Sequence, residues 1–309
     1  MRIFLDGCGA HVSVQRMIPE WENMGVGVDE KSDGCDVQLS LVRRRKETGL
    51  PLVLRIDGIY YNTDIDYAVK NVSISEAHAS AAAVIYQSEF CRGMCERYLA
   101  PRKEEAKTHV IYNGITPHWC GPHKGDDNFN IVVSAIWRRH KRLREIEKVF
   151  WRFTNMRPNT RLHVFGDLLE NKPDTHPHIY YYGQCTEAQM SRVFQMADVS
   201  IHLSKKDCSP YTVVEAIAAG VPVLTTSACG GAAEMCEMTK GCMVVKEDDS
   251  PDPCAHYSDE YNSLSGGVIN HLNAMLEYTR ITRQRVIPPK QLGITEMAER
   301  YIQAMKEVL

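Results

Sequence analysis

The segment Asp207–Met235, DCSPYTVVEAIAAGVPVLTTSACGGAAEM, gathers residues suited to holding an anion. Ser209 is a good N-cap, and Pro210 stands where a first helical residue can lack its N–H. Val213, Val214 and Ile217 can pack, while Ala216, Ala218 and Ala219 permit close approach. Gly220 ends such a helix, Pro222 prevents its continuation, and VPVLTT becomes a buried strand. The first turn, Ser209, Pro210, Tyr211 and Thr212, is then a ready site for a diphosphate. The helix dipole contributes only about 0.3–1 kcal/mol there, so other groups must help. Glu215 sits in a small, apolar helical run and calls for hydrogen-bonding partners, which sugar hydroxyls would supply.

Three further stretches carry chemistry. SAIWRRHKRLRE, Ser134 to Glu145, offers Arg138, Arg139 and Lys141 as fixed cations; the alternative is a solvated basic face. Gly7-Cys8-Gly9 has small residues that let backbone N–H groups approach a ligand. A dinucleotide fingerprint there fails, because Val12 stands at the third glycine. In LRIDGIYYN, Leu54 to Asn62, Arg55 and Asp57 would lie where a strand runs into a loop at the cleft, and Tyr60 and Tyr61 could stack on a sugar. A turn-forming Asp57 before Gly58 is the competing reading.

These residues need elements to hold them. Short apolar runs alternate with segments of helical period, which favours α/β architecture with parallel sheets. In the first half, strands are expected at Ile3–Leu5, Val37–Leu41, Leu52–Ile56, Ala83–Gln87 and His109–Tyr112, with helices at Val12–Asn23, Glu76–Ala82 and Phe90–Leu99. TPHWCGPHKGDDN, Thr116 to Asn128, reads as a linker. The pattern then restarts, with strands at Asn130–Ala135, Arg161–Phe165, Ile179–Tyr182, Val199–Leu203 and Pro222–Thr225. Helices are expected at Leu143–Thr154, Glu187–Gln195, Tyr211–Ala219, near Gly267–Tyr278, and at Thr295–Val308. Two doubly wound halves would place a ligand in a cleft between them. The 309 residues allow two domains at roughly 150 residues each.

Composition narrows the partners. Lys and Arg number 36 against 39 Asp and Glu, a net charge of -3, which disfavours nucleic acid. Eleven dispersed cysteines without a C-x-x-C pair argue against structural zinc and for a reducing, cytoplasmic compartment. The opening MRIFLDG starts a strand at once, so no signal peptide is expected, and no run of about 20 apolar residues could span a bilayer.

The Asp207–Met235 segment resembles the donor-site signature of glycosyltransferase family 4. That signature has two acids separated by seven residues, a helix of the type E-A-small-A-x-G-x-P-V, and a G-G-x-x-E turn. Here these are Asp207, Glu215, Ala216, Ala219-Gly220, Pro222-Val223, Gly230-Gly231 and Glu234. The first acid is usually Glu, and Asp207 is one methylene shorter. VIYNGI (Val110 to Ile115), VFGD (Val164 to Asp167) and IYYYGQCTEAQM (Ile179 to Met190) resemble the family more loosely.

The resemblance implies the GT-B fold, two Rossmann-like doubly wound domains facing a central cleft, divided at 1–118 and 119–294, with the terminal helix 295–309 packing back on the first. It implies a retaining glycosyltransferase that moves a hexosyl or related sugar from a nucleotide-sugar donor. Glu215 would bind the ribose, and Lys141 with Arg138, or Arg139 in its place, the diphosphate. Asp207 would meet the transferred sugar. Gly7 and Gly9 would face the donor phosphates, and Tyr182 and Gly183 the nucleotide. Asp57 would assist the acceptor hydroxyl of a glycan, a lipid-linked or a small-molecule acceptor. No metal or other cofactor is required beyond the nucleotide sugar as co-substrate. Asp64-Ile65-Asp66 spells the D-x-D of the other large glycosyltransferase fold, but the resemblance places the phosphate elsewhere. Arg43-Arg44-Arg45-Lys46 is either solvated or a weak peripheral contact with anionic lipid. The alternative from another class is an inactive nucleotide-sugar or sugar binding protein of the same fold.

Overall fold

The computed structural model describes residues 1–61, 65–102, 105–115, 122–169, 171–248 and 262–309. In chain order the first elements are β1 (Arg2–Leu5), α1 (Val12–Asn23), β2 (Gly27–Asp29), β3 (Val37–Leu41) and β4 (Leu52–Ile56). Next come α2 (Tyr67–Ser80), β5 (Ala83–Tyr86), α3 (Glu89–Tyr98) and β6 (Lys107–Val110). Then follow β7 (Phe129–Ser134), α4 (Leu143–Thr154), β8 (Thr160–Phe165), β9 (Ile179–Gly183), α5 (Glu187–Met196) and β10 (Val199–His202). The chain continues through α6 (Tyr211–Ala218), β11 (Val223–Thr226), α7 (Gly231–Glu237), β12 (Met243–Val245), α8 (Gly266–Thr282) and α9 (Ile294–Lys306). The molecule divides into two compact units, Met1–Thr116 with Lys290–Leu309, and Pro117–Pro289.

The first unit is a parallel sheet in the order β2-β1-β3-β4-β5-β6. All five residues of β3 and of β4 are buried, as expected for parallel strands covered on both faces. From β1 the chain moves outward to β2, then returns to lay down β3 through β6 on the other side. The winding direction therefore reverses between β1 and β3, and the loops leaving those strands diverge to open a crevice. Helix α9 belongs to this unit. Its Tyr301 ring lies 6.2 Å from that of Trp21 on α1, and the Trp21 indole N–H donates to the Ala298 carbonyl at 3.2 Å. The chain enters α9 beside Ile115, which donates to the Leu292 carbonyl at 3.1 Å and accepts from Ile294 at 3.2 Å. A Cβ on Gly114 would stand 2.5 Å from the Gly293 carbonyl oxygen, so only glycine fits the Asn113-Gly114 turn.

The second unit is a parallel sheet in the order β12-β11-β10-β7-β8-β9, and its direction reverses between β7 and β10. Phe129, Ile131 and Val133 of β7 pack with Ile146, Val149 and Phe153 of α4 and Leu272 and Leu276 of α8. The nine cysteines among the described residues are free thiols. No helix among the described residues is long and apolar enough to cross a membrane.

Three expected elements are corrected. The helix expected at Glu76–Ala82 is α2 and begins at Tyr67. Its apolar residues do not share one face: Val69 and Val72 are exposed while Ile74 and Ala77 are buried, so no helical period shows. The strand expected at His109–Tyr112 is β6 and ends at Val110, because pairing with β5 sets its register. Ser209 does not cap the helix of the signature; Pro210, in an extended conformation with ψ 124°, is the N-cap and Tyr211 the first helical residue. The short β2, α7 and β12 carry too few residues for a period to be read. Of the expected linker, Thr116 through Gly121 lie outside the described residues.

Candidate functional site

In the second unit the loops leaving β7 and β10 flank the point where the winding reverses, and they bring Lys141 and Asp207 together. The Lys141 ammonium meets Asp207 Oδ2 at 2.5 Å, and both side chains are partly exposed. Backbone bonds lock the two loops to each other and to the loop after β11. Lys205 N–H donates to the His140 carbonyl at 3.1 Å, Lys206 to Ala228 at 3.0 Å, and Gly231 to Asp207 at 2.8 Å. Burial pushes the Asp207 carboxyl up, but the Lys141 ammonium and the His202 imidazole outweigh it and hold it below the ordinary carboxylate range. Asp207 is therefore ionised at neutral pH.

Two histidines border this pair. His202 ends β10, with Nε2 at 3.7 Å from the same Asp207 oxygen. His140 lies in the β7 loop. Burial pushes each down to about 4, so both are neutral imidazoles at pH 7. Arg142, one residue beyond Lys141, holds a left-handed backbone with φ 58° and points elsewhere. Its guanidinium is fully buried and grips Glu247 twice, at 2.5 and 3.0 Å, while the Thr226 hydroxyl donates to Glu247 at 2.6 Å. Arg138 and Arg139 are exposed.

Glu215 is 7% exposed, near the middle of α6, eight residues after Asp207. Ser209, Pro210, Tyr211 and Thr212 form the approach and first turn of that helix, the end at which helical N–H groups lack a carbonyl one turn back. Glu234 lies in the first turn of α7, capped by Gly230. Gly183 ends β9. Tyr182 beside it is 41% exposed, stacks on Phe165 at 4.7 Å, and shares a 2.8 Å hydrogen bond with His163 Nδ1 through its hydroxyl. Tyr182 thus presents a ring braced by its own unit.

In the first unit the corresponding reversal, between β1 and β3, joins Gly7 to Arg45. Gly7 has φ +63°, and a Cβ there would meet the Arg45 guanidinium at 2.6 Å. Arg45 donates to the Gly7 carbonyl at 2.7 Å, and its backbone N–H donates to Asp6 Oδ2 at 2.7 Å. Lys46 lies over the Phe4 ring at 5.6 Å. Arg45 and Lys46 thus touch this unit while both remain exposed. Gly9 is buried, and its carbonyl accepts from Gln15.

Asp57 stands at the end of β4 in a polar network. Arg55 meets its Oδ1 at 3.1 Å, Gln87 donates to the same oxygen, and His11 Nε2 lies 3.4 Å from Oδ2. Arg55 is 1% exposed and also donates to Asn113 Oδ1 at 3.1 Å. Burial raises the Asp57 carboxyl, and Arg55, His11 and Gln87 overcome it, so the acid stays below its ordinary range. Asp57 is thus more than a turn former. The opposite ring nitrogen of His11 accepts from Ser13 N–H at 3.3 Å as the cap of α1, which leaves Nε2 as the donor to Asp57. Tyr60 is exposed, and its backbone pairs with the Asn71 amide at 2.7 and 2.9 Å. Asp64 lies outside the described residues, and Asp66 caps α2 by accepting from Val69.

Sequence reasoning does not single out His202, His140, Glu247, Arg45, His11 or Gln87. Each reaches its partner only through the convergence of loops at a strand end, which residue spacing does not encode.

The family model described as "Glycosyl transferases group 1" matches residues 120–280, more than half of the chain. A search among curated protein sequences finds no match. Solved structures are similar in fold. Sucrose-phosphate synthase from Thermosynechococcus elongatus is 11% identical with a TM-score of 0.69, over 100% of this chain and 99% of that one. Anabaena HepE, solved in complex with UDP-glucose, is 14% identical with a TM-score of 0.65, over 99% of each chain. A chain of the GtfA/B complex gives 11% identity and a TM-score of 0.57 over 88% of this chain, which spans only 57% of that longer chain.

Proposed function

The chain belongs to the group 1 glycosyl transferases, with the GT-B fold, and from that premise we propose that it is a retaining, metal-independent glycosyltransferase of family 4. The reaction moves a sugar from a nucleotide-sugar donor to an acceptor hydroxyl. The observation that carries this reading is the Lys141–Asp207 pair at 2.5 Å, set where the sheet reverses and followed by buried Glu215 on α6.

Bond breaking puts negative charge on the departing diphosphate. A fixed ammonium at Lys141, with Arg138 or Arg139 and the start of α6 over Ser209–Thr212, lowers the cost of that charge. Glu215 takes the ribose hydroxyls and Asp207 a hydroxyl of the transferred sugar. Tyr182 and Gly183 lie against the nucleotide. In the first unit Asp57 stays ionised and orients the acceptor hydroxyl. The leaving diphosphate itself accepts the acceptor's proton as the new bond forms on the same face. A neighbour that spans the whole fold, solved with UDP-glucose, supports a nucleotide diphosphate sugar as donor.

The test is transfer from a panel of nucleotide sugars in the presence of chelator, with proton NMR of the first-formed product. The expected product keeps the donor's anomeric configuration, and chelator leaves the rate unchanged. An inverted centre or an absolute need for a divalent ion would overturn the mechanism. Tight donor binding without product from any acceptor would leave only a binding protein.

A further inference from the structure

His202 is 6% exposed, and its Nε2 makes no hydrogen bond. A buried polar nitrogen without a partner is costly and calls for an explanation. Its nearest acid is Asp207 Oδ2 at 3.7 Å, the oxygen already taken by the Lys141 ammonium at 2.5 Å. One carboxylate oxygen thus faces two candidate partners and is bonded to one. The charged and titratable groups that act on this imidazole are Asp207 and Lys141, with His140 beside them.

A diphosphate competes for the same ammonium with more charge than a single carboxylate. When Lys141 turns toward it, the partly exposed Asp207 loses its main counter-charge, a state that is unfavourable unless another cation takes the place. We propose that His202 is a positioning residue for Asp207, which closes on that carboxylate as an imidazolium when Lys141 turns to the donor diphosphate, and so holds Asp207 fixed for the transferred sugar. The proton comes from solvent hydronium and forms an N–H bond on the ring, with water released; no other covalent bond changes. In the unloaded protein burial and Lys141 keep His202 neutral; loading moves the ammonium away and leaves the carboxylate facing the ring, so protonation becomes favourable. The proposal rests on the reading of Lys141 as the diphosphate group.

The test is calorimetric titration with UDP-glucose and with GDP-mannose, in buffers of differing ionisation enthalpy, for the wild type and His202→Gln. A nucleotide sugar carries no phosphate group that titrates near neutrality, so any proton taken up belongs to the protein. The wild type is expected to take up close to one proton per donor at about pH 5.5 and a smaller fraction at neutral pH, where an ordinary imidazole is mostly neutral. Its affinity should rise as pH falls, by up to about tenfold per pH unit. His202→Gln should bind with no uptake and with pH-independent affinity. His202→Asn, checked for an unchanged melting transition, repeats the measurement should the Gln variant fold poorly. No uptake by the wild type, or equal uptake by the variants, would overturn the proposal; the second result would put the proton on Asp207 itself. Failure of both probes to bind, or unchanged affinity in Lys141→Met, would sink the donor reading and this proposal together. Lys141-dependent binding without His202-dependent uptake sinks the proposal alone.

Discussion

Replacing Glu247 by Ala should expose how strongly the donor-side unit depends on one buried ion pair. Glu247 accepts two bonds from the fully buried Arg142, at 2.5 and 3.0 Å, and one from Thr226 at 2.6 Å; Lys205 Nζ lies 3.8 Å away. The variant leaves a guanidinium in the interior with its main counter-charge gone. Breaking such a pair costs about 3–5 kcal/mol. The affected unit runs from Pro117 to Pro289, a size at which each kcal/mol lowers the melting temperature by about 2–4 °C, so the drop should be about 6–20 °C. Glu247→Gln keeps the shape and the neutral hydrogen bonds and should lose less. Burial raises the Glu247 carboxyl, and Arg142, with help from Thr226 and Lys205, pulls it below its ordinary range. A depressed carboxyl stabilises fully above its unfolded value, about 4.3, and that contribution disappears as pH falls through the folded value. The gap between wild type and Glu247→Ala should therefore be full at neutral pH and close in acid. Scanning calorimetry across that range decides it. A neutral-pH drop under about 2 °C, or a gap that widens in acid, would refute the assignment of the pair as a structural clamp.

Two further outcomes concern the reaction groups. Glu215→Gln should weaken nucleotide binding by about tenfold or more, the value of one charge-assisted hydrogen bond, with an unchanged melt; equal affinity by calorimetry would remove Glu215 from the donor site. Asp57→Asn should lower kcat with little change in the donor's KM, because the carboxylate acts on the acceptor, and a pure rise in donor KM would contradict that role.

Much of this architecture is legible in the residues themselves. Val12–Asn23 and Leu143–Thr154 match α1 and α4 to the residue, each with one apolar stripe. The site is legible only where chemistry follows chain spacing. Asp207 and Glu215 lie eight residues apart on a single loop and helix, so their relation is local. His202 reads as one more strand residue, because its partner Asp207 lies across the loop that begins at Leu203. Only the folded path of that loop returns the carboxylate to the ring. Arg45 is hidden for a similar reason. In a run of four basic residues nothing marks the one that β1 and β3 together direct onto Gly7. The start of α2 escapes because Val69 and Val72 face outward, which erases the period.

The first unit is also split along the chain, and that split sets the order in which its core can close during biosynthesis. Trp21, Met17 and Val14 of α1 are covered in part by Met297, Ala298 and Tyr301 of α9. On the ribosome that cover is made only after the second unit. The whole of Pro117–Pro289 must be translated before Lys290 begins the return. During that interval the nascent first unit carries a bare apolar face, while the continuous second unit can fold as soon as it emerges. The order of synthesis of the two units is thus the reverse of the order in which their cores can be completed.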